Sequence, residues 1–329
     1  MSDDNAGHDP VGDPTDDSAD VSSNGDDTGP TSGHDTGPTA GFELGPRGEE
    51  FRSGFVAIIG RPNVGKSTLL NKILDEKVTI VSDTAQTTRH QIRGVLTDDD
   101  CQLVFVDTPG ISKPRSALGS HLNEVASRAI DDVDLICLVI DGRSGFGRGD
   151  RRLAQSLDPA RTVVVVNKID GLAPERVLEQ LAAAAELDFS AYFPVSAFTG
   201  KGVPALVDHL RSRMPKGPLW YPADTVTDVP QAFVVAELVR EQLLRSTRDE
   251  VPHSVATRVV EWEWPRIRVE ILVERESQKG IVIGKGGETL KQVGIRVRRQ
   301  LPPGVYLELI VNVEKNWQQS PELIERLGY

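Results

Sequence analysis

A stretch of eight residues, 60–67, constrains the fold of this chain more than any other. It reads Gly-Arg-Pro-Asn-Val-Gly-Lys-Ser and fits G-x-x-x-x-G-K-[ST], the pattern of a phosphate-binding loop. An apolar run at 55–59 precedes it, and residues 66–74 after it have helical spacing. Its glycines let backbone N–H groups turn toward phosphate oxygens, and the helix that follows presents the positive end of its dipole to the same anion. The sequence therefore predicts a strand–loop–helix unit that binds a nucleotide.

The loop pattern also assigns roles to single residues. Lys66 is expected to reach the β- and γ-phosphates, and the hydroxyl of Ser67 is expected to bind Mg²⁺. The predicted nucleotide-binding residues of this loop are Gly60, Arg61, Pro62, Asn63, Val64, Gly65, Lys66, Ser67 and Thr68.

Length and composition indicate a soluble protein of two domains. The chain has 329 residues, whereas one domain usually has about 100–200. No apolar run approaches the roughly 18–20 residues of a membrane-spanning helix, and the N-terminus lacks the features of a secretion signal. The two cysteines, Cys101 and Cys137, lie in apolar runs, which favours a reducing, cytoplasmic location.

The acidic net charge of −12 is confined to the N-terminus. Residues 1–50 hold 13 Asp or Glu against one Arg and consist largely of Asp, Gly, Ser, Thr and Pro, so we expect a disordered, solubilising tail. Residues 51–329 hold 36 basic and 36 acidic residues. An acidic chain therefore does not exclude nucleic acid as a partner.

Residues 54–213 alternate apolar runs with helical segments, which predicts an α/β domain with a mainly parallel sheet and helices on both faces. In such sheets the ligand binds at the carboxyl ends of the strands. The predicted strands are 55–59, 103–106, 135–140, 163–166 and 192–195, and the predicted helices are 66–74, 119–130, 149–156, 174–185 and 203–213.

Residues 214–230 hold four prolines and are interpreted as a linker to a second domain over 231–315, with an extension at 316–329. The pattern of the second domain predicts a small α+β unit of order α-β-β-α-β. Its expected elements are a helix at 232–244, strands at 255–263 and 266–274, a Gly-rich turn at 284–287, a basic helix at 288–300 and a strand at 306–313.

A second chemical motif, Asp-Thr-Pro-Gly at 107–110, follows the strand at 103–106. Asp107 is expected to hold Mg²⁺, usually through water, and the N–H of Gly110 to reach the γ-phosphate; Thr108, Pro109 and Ile111 complete this part of the site. Ile111 stands where many GTPases carry a glutamine that orients water, so hydrolysis is expected to be slow or to use another device.

Between these two motifs lies a polar segment, 83–90, with the character of a switch loop. A threonine here would complete the Mg²⁺ shell and sense the γ-phosphate. Thr88 is favoured because it directly precedes Arg89 and His90, and Thr87 remains an alternative. Arg89 and His90 are expected to be solvated charges of the loop.

The base is predicted from Asn167-Lys168-Ile169-Asp170, after the strand at 163–166. The carboxylate of Asp170 accepts hydrogen bonds from the ring N–H and the amino group of guanine, which adenine lacks at the matching positions. Lys168 would lie over the base, Asn167 would tie the loop to residues 60–67, and Ser196-Ala197 would offer a backbone N–H to the guanine carbonyl. The predicted nucleotide is GTP, and a general ATPase is disfavoured.

The second domain carries Gly-Lys-Gly-Gly at 284–287, ahead of a basic helix. Residues 279–301 hold six basic residues against Glu288 alone. A G-x-x-G loop in this setting is typical of KH domains, which clamp single-stranded nucleic acid. The predicted RNA-binding residues are Lys279, Ile283, Gly284, Lys285, Gly286, Gly287, Lys291 and Arg298.

These motifs together resemble the Era family of bacterial GTPases. The resemblance covers about 54–315 and rests on GRPNVGKSTLLN, QTTRH, DTPG, NKID, SAF and IVIGKGGETLK, in that order. It implies a GTPase with Mg²⁺ that binds small-subunit (16S) ribosomal RNA near its 3′ end and acts in ribosome assembly. The acidic tail departs from it.

The resemblance also implies features that the residues alone do not support. In some related GTPases an asparagine at the position of Asn63 places a potassium ion against the phosphates. Era proteins are partly associated with the inner face of the cell membrane, and a monomer is expected. The alternative function is a signalling or membrane-associated GTPase whose C-terminal domain binds a protein.

Overall fold

The computed structural model describes residues 50–84, 86–114, 116–247 and 251–329. The tail predicted over 1–50 lies outside these residues, apart from Glu50. The described residues contain two β-sheets, one of six strands and one of three. None of the helices in this part of the chain combines the length and the apolar character needed to cross a membrane.

The first sheet and its helices occupy residues 52–213. In chain order they are β1 (Arg52–Ile59), α1 (Lys66–Leu74), β2 (Ile92–Thr97), β3 (Cys101–Asp107), α2 (Ala117–Asp131), β4 (Leu135–Asp141), α3 (Arg148–Ala154), β5 (Thr162–Asn167), α4 (Pro174–Ala185), β6 (Ala191–Pro194) and α5 (Val203–Arg213).

The strand order is β2-β3-β1-β4-β5-β6, and all neighbours pair in parallel except β2 with β3. Helices α1 and α5 pack on one face of the sheet, and α2, α3 and α4 pack on the other. Because both faces are covered, the central strands are almost continuously apolar. This confirms the predicted α/β architecture and puts the loops after β1, β3, β4, β5 and β6 at one edge.

The prediction omitted strand β2, at Ile92–Thr97. It pairs antiparallel to β3 at the end of the sheet, where one glycine interrupts its apolar pattern. A Cβ on Gly94 would lie 2.5 Å from Leu74 Cδ1, so a side chain there would displace the leucines of α1 that pack on this strand. Helix α2 also begins earlier than the predicted residue 119, because Ser116 caps it by accepting a hydrogen bond from the Gly119 N–H.

The segment 214–230 runs back along the first domain. Its backbone pairs with Arg52 through Lys216 and with Gly94 through Thr227. The side-chain oxygen of Gln102 accepts hydrogen bonds from the N–H groups of Trp220 and Tyr221. The proline-rich connection is therefore fixed to the sheet edge before the second domain begins.

In the described residues, the second domain and the C-terminal extension have the order α-α-β-β-α-α-β-α, with three helices more than predicted. These elements are α6 (Gln231–Ser246), α7 (Val251–Ser254), β7 (Ala256–Glu263), β8 (Arg266–Val273), α8 (Glu276–Ile283), α9 (Glu288–Arg298), β9 (Tyr306–Val313) and α10 (Pro321–Arg326).

Strands β7 and β8 are antiparallel, β8 and β9 are parallel, and α6, α8 and α9 cover one face. Helix α8 was not predicted, since Gly280 and the run Ile281-Val282-Ile283 have low helix propensity. Its start is fixed by Gln278, whose side-chain oxygen accepts a hydrogen bond from the Arg275 N–H. The turn at 284–287 therefore joins two helices.

Residues 316–329 pack between the two domains. Trp317 is fully buried and belongs to one apolar cluster with Leu118 and Leu122 of α2, and with Ala256 and Leu272 of the second sheet. The C-terminal extension thus connects the first domain to the second.

Candidate functional site

The loop 60–65 connects β1 to α1 and has a backbone that only glycine permits at its two ends. Gly60 has φ 149° and Gly65 has φ 97°. A Cβ at Gly60 would collide with the carbonyl oxygen of Val139, and one at Gly65 would collide with the side-chain amide of Asn167. Strands β4 and β5, which carry Val139 and Asn167, therefore leave no room for a side chain at either end of the loop.

Lys66 opens α1 and points back over the loop. Its Nζ donates to the carbonyl oxygens of Gly60 and Arg61, at 3.2 Å each. Burial lowers the pKa of Lys66 to about 8, and the nearby carboxylate of Asp107 opposes this shift. A buried ammonium group with backbone partners only is well suited to an anionic phosphate, which would stabilise its charge.

The three residues predicted to hold Mg²⁺ converge at the end of β3. Ser67 Oγ lies 2.8 Å from Thr88 Oγ1 and 2.7 Å from Asp107 Oδ2. Among the described residues Asp107 Oδ1 has no hydrogen-bond partner, although it is buried. Burial raises the pKa of Asp107, while Lys66 acts in the opposite direction. Hydroxyl and carboxylate oxygens with one unsatisfied atom fit a hard divalent cation such as Mg²⁺.

The structure distinguishes the two consecutive threonines. The Thr87 hydroxyl donates to the carbonyl oxygen of Thr84 at 2.6 Å, within the switch segment (residues 83–90). Thr88 Oγ1 instead faces Ser67 and Asp107. The geometry therefore favours Thr88 as the metal-binding residue.

The loop after β3 approaches the phosphate loop closely. A Cβ on Gly110 would lie 2.7 Å from the backbone nitrogen of Pro62, and the Ile111 N–H donates to the carbonyl oxygen of Gly60 at 3.2 Å. The hydroxyl of Thr108 donates to the carbonyl oxygen of Ile58 at 2.9 Å. The side chain of Ile111 packs against the apolar cluster under α2, α3 and α4. Because isoleucine has no polar side-chain atom, this residue cannot orient a water molecule.

The remaining loop residues are anchored by neighbours. Arg61 forms a 3.0 Å ion pair with Asp150 of α3, which is 2% exposed. Asn63 is exposed, and its side-chain amide donates to the Asp83 carbonyl oxygen at 2.6 Å. The phosphate loop, the switch segment and Lys168 line one cleft.

The base end of the cleft is built by the loops after β5 and β6. The side chain of Asn167 donates to Val64 O and accepts from the Ala197 N–H, at 2.9 Å each, and so ties the three loops together. Asp170 Oδ1 accepts the hydroxyl of Ser196 at 2.7 Å. This hydrogen bond is the main cause that lowers the pKa of Asp170. A carboxylate that stays ionised can accept both donors of guanine.

Two charged residues that the motifs do not include complete this end. Asp141, at the end of β4, accepts from Lys168 Nζ at 2.8 Å. Arg143, two residues later, lies 2.5 Å from Asp170 Oδ2. Neither belongs to a recognised pattern, and only the fold of the β4 loop brings them to the base site.

The switch segment is in contact with the second domain through Arg89. Its guanidinium donates to Val255 O at 2.7 Å and to His253 O at 2.8 Å, and it lies 5.5 Å from the centre of the Trp317 ring. Arg89 is 3% exposed, so the expectation of a solvated charge was wrong. His90 is half-buried and has edge-to-face contact with Phe233 of α6. The expectation of a solvated side chain was therefore wrong for His90 as well.

Helix α6 holds the other side of this segment. Arg240 is fully buried, pairs with Glu237 and donates to Thr87 O. Glu241 accepts from the Val81 N–H at 3.1 Å and from Lys77 Nζ at 2.6 Å. Sequence periodicity predicted the helix, but no local signal identified Arg240 as a partner of the switch segment or Glu241 as a partner of the residues just before it.

The predicted RNA-binding turn lies between α8 and α9. Gly284, Gly286 and Gly287 have φ of 76°, 62° and 80°. A Cβ on Gly286 or Gly287 would meet open space, so their backbone is accessible. Lys285, Lys291 and Arg298 are exposed, Lys279 is partly buried, and Ile283 packs on the domain core. The turn therefore presents bare backbone beside positive charge.

Two protein-family models match this chain. One is described as a 50S ribosome-binding GTPase and matches residues 55–168, and the other is a KH domain and matches residues 250–318. These matches confirm the predicted combination of a GTPase domain and a KH domain.

Solved structures extend the similarity to most of the chain. One is Era from Aquifex aeolicus, in a variant form bound to GDP and AlF4⁻. Another is Era in complex with MgGDPNP and nucleotides 1506–1542 of 16S ribosomal RNA. Each is 37% identical, with a TM-score of 0.81, over 85% of this chain and 99% of the matched chain.

Proposed function

The chain belongs to the Era family of GTPases, and we propose that it binds 16S ribosomal RNA through its KH domain and acts in the assembly of the small ribosomal subunit. Its first domain is a GTPase domain, which binds GTP with Mg²⁺ and hydrolyses it to GDP and phosphate. GTP would control when the RNA is held and released.

One observation carries this proposal: the segment that bears Thr88 also docks on the KH domain. Thr88 faces the metal site, while the next residue, Arg89, donates to two backbone carbonyls of the second domain. A γ-phosphate that draws Thr88 toward the metal must also act on Arg89, since the two are adjacent. The RNA affinity of the KH domain would therefore depend on the bound nucleotide.

The surface of the KH domain supports RNA as its ligand. Lys285 lies within the glycine turn and Lys291 in the first turn of α9, and the accessible backbone there suits close approach of a phosphate chain. Protein partners are the second candidate, and they require no such turn.

The test is filter binding of a labelled RNA from the 3′ end of small-subunit ribosomal RNA to the full chain. We expect tighter binding with a GTP analogue than with GDP. Lys285→Glu should weaken RNA binding and make the slope of log K against log salt concentration shallower by about one, the value for one lost phosphate contact. Lys201→Glu, an equal charge change on the exposed surface of the first domain, is the matched control. Equal RNA affinity for the two variants would favour the protein-binding alternative.

We also propose a potassium ion at Asn63. Its side chain already lies against a carbonyl of the switch segment, 2.6 Å from Asp83 O, and Ile111 supplies no polar group for the attacking water. Intrinsic hydrolysis would then be slow without a monovalent cation. Faster GTP hydrolysis in potassium than in sodium chloride, lost in Asn63→Ala, is the expected result; equal rates in both salts would exclude this ion.

We propose that the protein is a cytoplasmic monomer with weak peripheral association at the inner face of the cell membrane. The cytoplasm is supported by its two buried free cysteines and by a ribosomal ligand. Cell fractionation tests the location, and light scattering of the full chain tests the oligomeric state. Recovery of all the protein in the soluble fraction would exclude the membrane contact.

A further inference from the structure

The loop after β4 brings an arginine to the residue that is expected to select guanine. Arg143 Nη2 lies 2.5 Å from Oδ2 of Asp170, and it is also within 3.5 Å of the Asp170 carbonyl oxygen. The other carboxylate oxygen, Oδ1, accepts the hydroxyl of Ser196. Both oxygens of the base-selecting carboxylate therefore have partners from the protein itself.

The backbone of this loop is held firmly, so the position of Arg143 follows from the fold. The Gly142 N–H donates to Asn167 O at 2.7 Å, and the Arg143 N–H donates to Asp141 Oδ1 at 2.9 Å. The second oxygen of Asp141 binds Lys168 Nζ. One aspartate thus fixes both the loop that carries Arg143 and the lysine expected to cover the base.

Arg143 and guanine need the same acceptor. Guanine presents two N–H donors to the two oxygens of Asp170. The guanidinium group of Arg143 likewise presents N–H donors, and it has no acceptor. Oδ2 has two acceptor sites, so the two donors can share it, but they crowd one oxygen and each weakens the hydrogen bond of the other. The Arg143 side chain is 56% exposed, so it can move into water when the base arrives.

We propose that Arg143 adjusts the rate of nucleotide exchange: it pairs with Asp170 in the empty site, competes with guanine and speeds the release of GDP. This inference rests on the proposed role of Asp170 in guanine selection. An exposed ion pair changes an equilibrium by up to about fivefold. The competition therefore adjusts the lifetime of bound GDP without preventing binding.

The experiment measures dissociation of a fluorescent GDP from the full chain, chased with excess GDP. Arg143→Ala should slow dissociation about two- to fivefold, and high salt should reduce the difference because it screens the pair. Arg148→Ala, which removes an equal exposed charge at the start of α3, should release GDP at the wild-type rate. Release from Arg143→Ala that is faster than, or equal to, that of Arg148→Ala would overturn the proposal.

Asp170→Asn separates this inference from the guanine assignment. An amide at this position donates to the oxygen that xanthine carries in place of the guanine amino group, so preference should move from GDP to xanthosine diphosphate. If it does not move, the assignment of guanine to Asp170 is wrong, whatever Arg143 does. If it moves, the double variant Asp170→Asn/Arg143→Ala tests the route of action. Should Arg143→Ala slow release of xanthosine diphosphate from Asp170→Asn by the same factor as it slows release of GDP from the wild type, Arg143 does not act through the carboxylate and the proposal fails.

Discussion

At the scale of single residues, Thr87 and Thr88 are chemically identical but have different partners. The hydroxyl of Thr88 lies 2.8 Å from Ser67 Oγ, whereas that of Thr87 closes a turn on Thr84. A metal ion bound by Ser67 and Asp107 would therefore meet Thr88. Loss of the Thr87 hydroxyl would affect only the turn of the switch segment.

We expect Thr88→Ala to reduce affinity for a GTP analogue about five- to fiftyfold and to leave GDP affinity nearly unchanged. The lost oxygen would sense the γ-phosphate and metal, a charge-assisted contact of about 1–2.5 kcal/mol. Titration of the full chain with fluorescent nucleotides in Mg²⁺ measures both affinities. Thr87→Ala is the control, and a selective loss of GTP-analogue binding in that variant would assign the metal contact to Thr87 instead.

Residues that belong to a motif of fixed spacing after a strand could be predicted from the sequence. Lys66, Asp107 and Asp170 each follow an apolar strand, and the parallel sheet then brings them to one edge. Arg143 and Asp141 could not be predicted, since their positions depend on how one loop folds over its neighbour. Arg89 was misjudged because a charged residue in a polar segment is usually solvated, and its buried carbonyl partners lie about 165 residues further along the chain.

At the scale of elements, helix α6 acts as the support of the switch segment. Its Glu237 and Arg240 are buried and form a bidentate pair, and Arg240 extends to Thr87 O. The Arg240 guanidinium lowers the pKa of Glu237, although burial acts against this shift. Each of the two buried charges is therefore stabilised by the other.

Removing one member of this pair should cost much more than replacing both. Arg240→Ala leaves the Glu237 carboxylate buried without its hydrogen-bonded ion-pair partner, and we expect the free energy of unfolding to fall by about 3–5 kcal/mol. The double variant Glu237→Leu/Arg240→Met should lose clearly less, because no isolated charge remains. Urea unfolding followed by circular dichroism measures both; a double variant as unstable as Arg240→Ala would show that the pair is not the source of the loss.

Elements with a strong apolar period were predicted, and those with a mixed pattern were not. Strand β2 contains a glycine packed against the leucines of α1, and α8 contains a glycine and three β-branched residues. Both are stabilised by tertiary contacts that local propensity does not report. The short helices at 251–254 and 321–326 were missed for the same reason.

At the scale of the whole molecule, the two domains meet through segments distant in the chain. The switch segment, residues 253–255 and the C-terminal extension come together around Arg89. The order of motifs predicted the two domains, but this interface depends on contacts between residues roughly 160–240 positions apart. Arg89 directly follows Thr88 of the metal site and donates two hydrogen bonds to the second domain.

Breaking this contact should uncouple RNA binding from the nucleotide. Arg89→Met keeps the length of the side chain but cannot donate to Val255 O and His253 O. In the wild type we expect RNA affinities with a GTP analogue and with GDP to differ about 5- to 150-fold, the usual range of coupling between two sites, and in Arg89→Met this ratio should approach one. Since coupling is reciprocal, RNA should raise the affinity for the GTP analogue by the same factor in the wild type and not in the variant. Arg128→Met, on the exposed face of α2, is the control, and thermal melting confirms that both variants are folded. A folded Arg89→Met protein that keeps the wild-type ratio would show that the nucleotide signal reaches the KH domain by another contact.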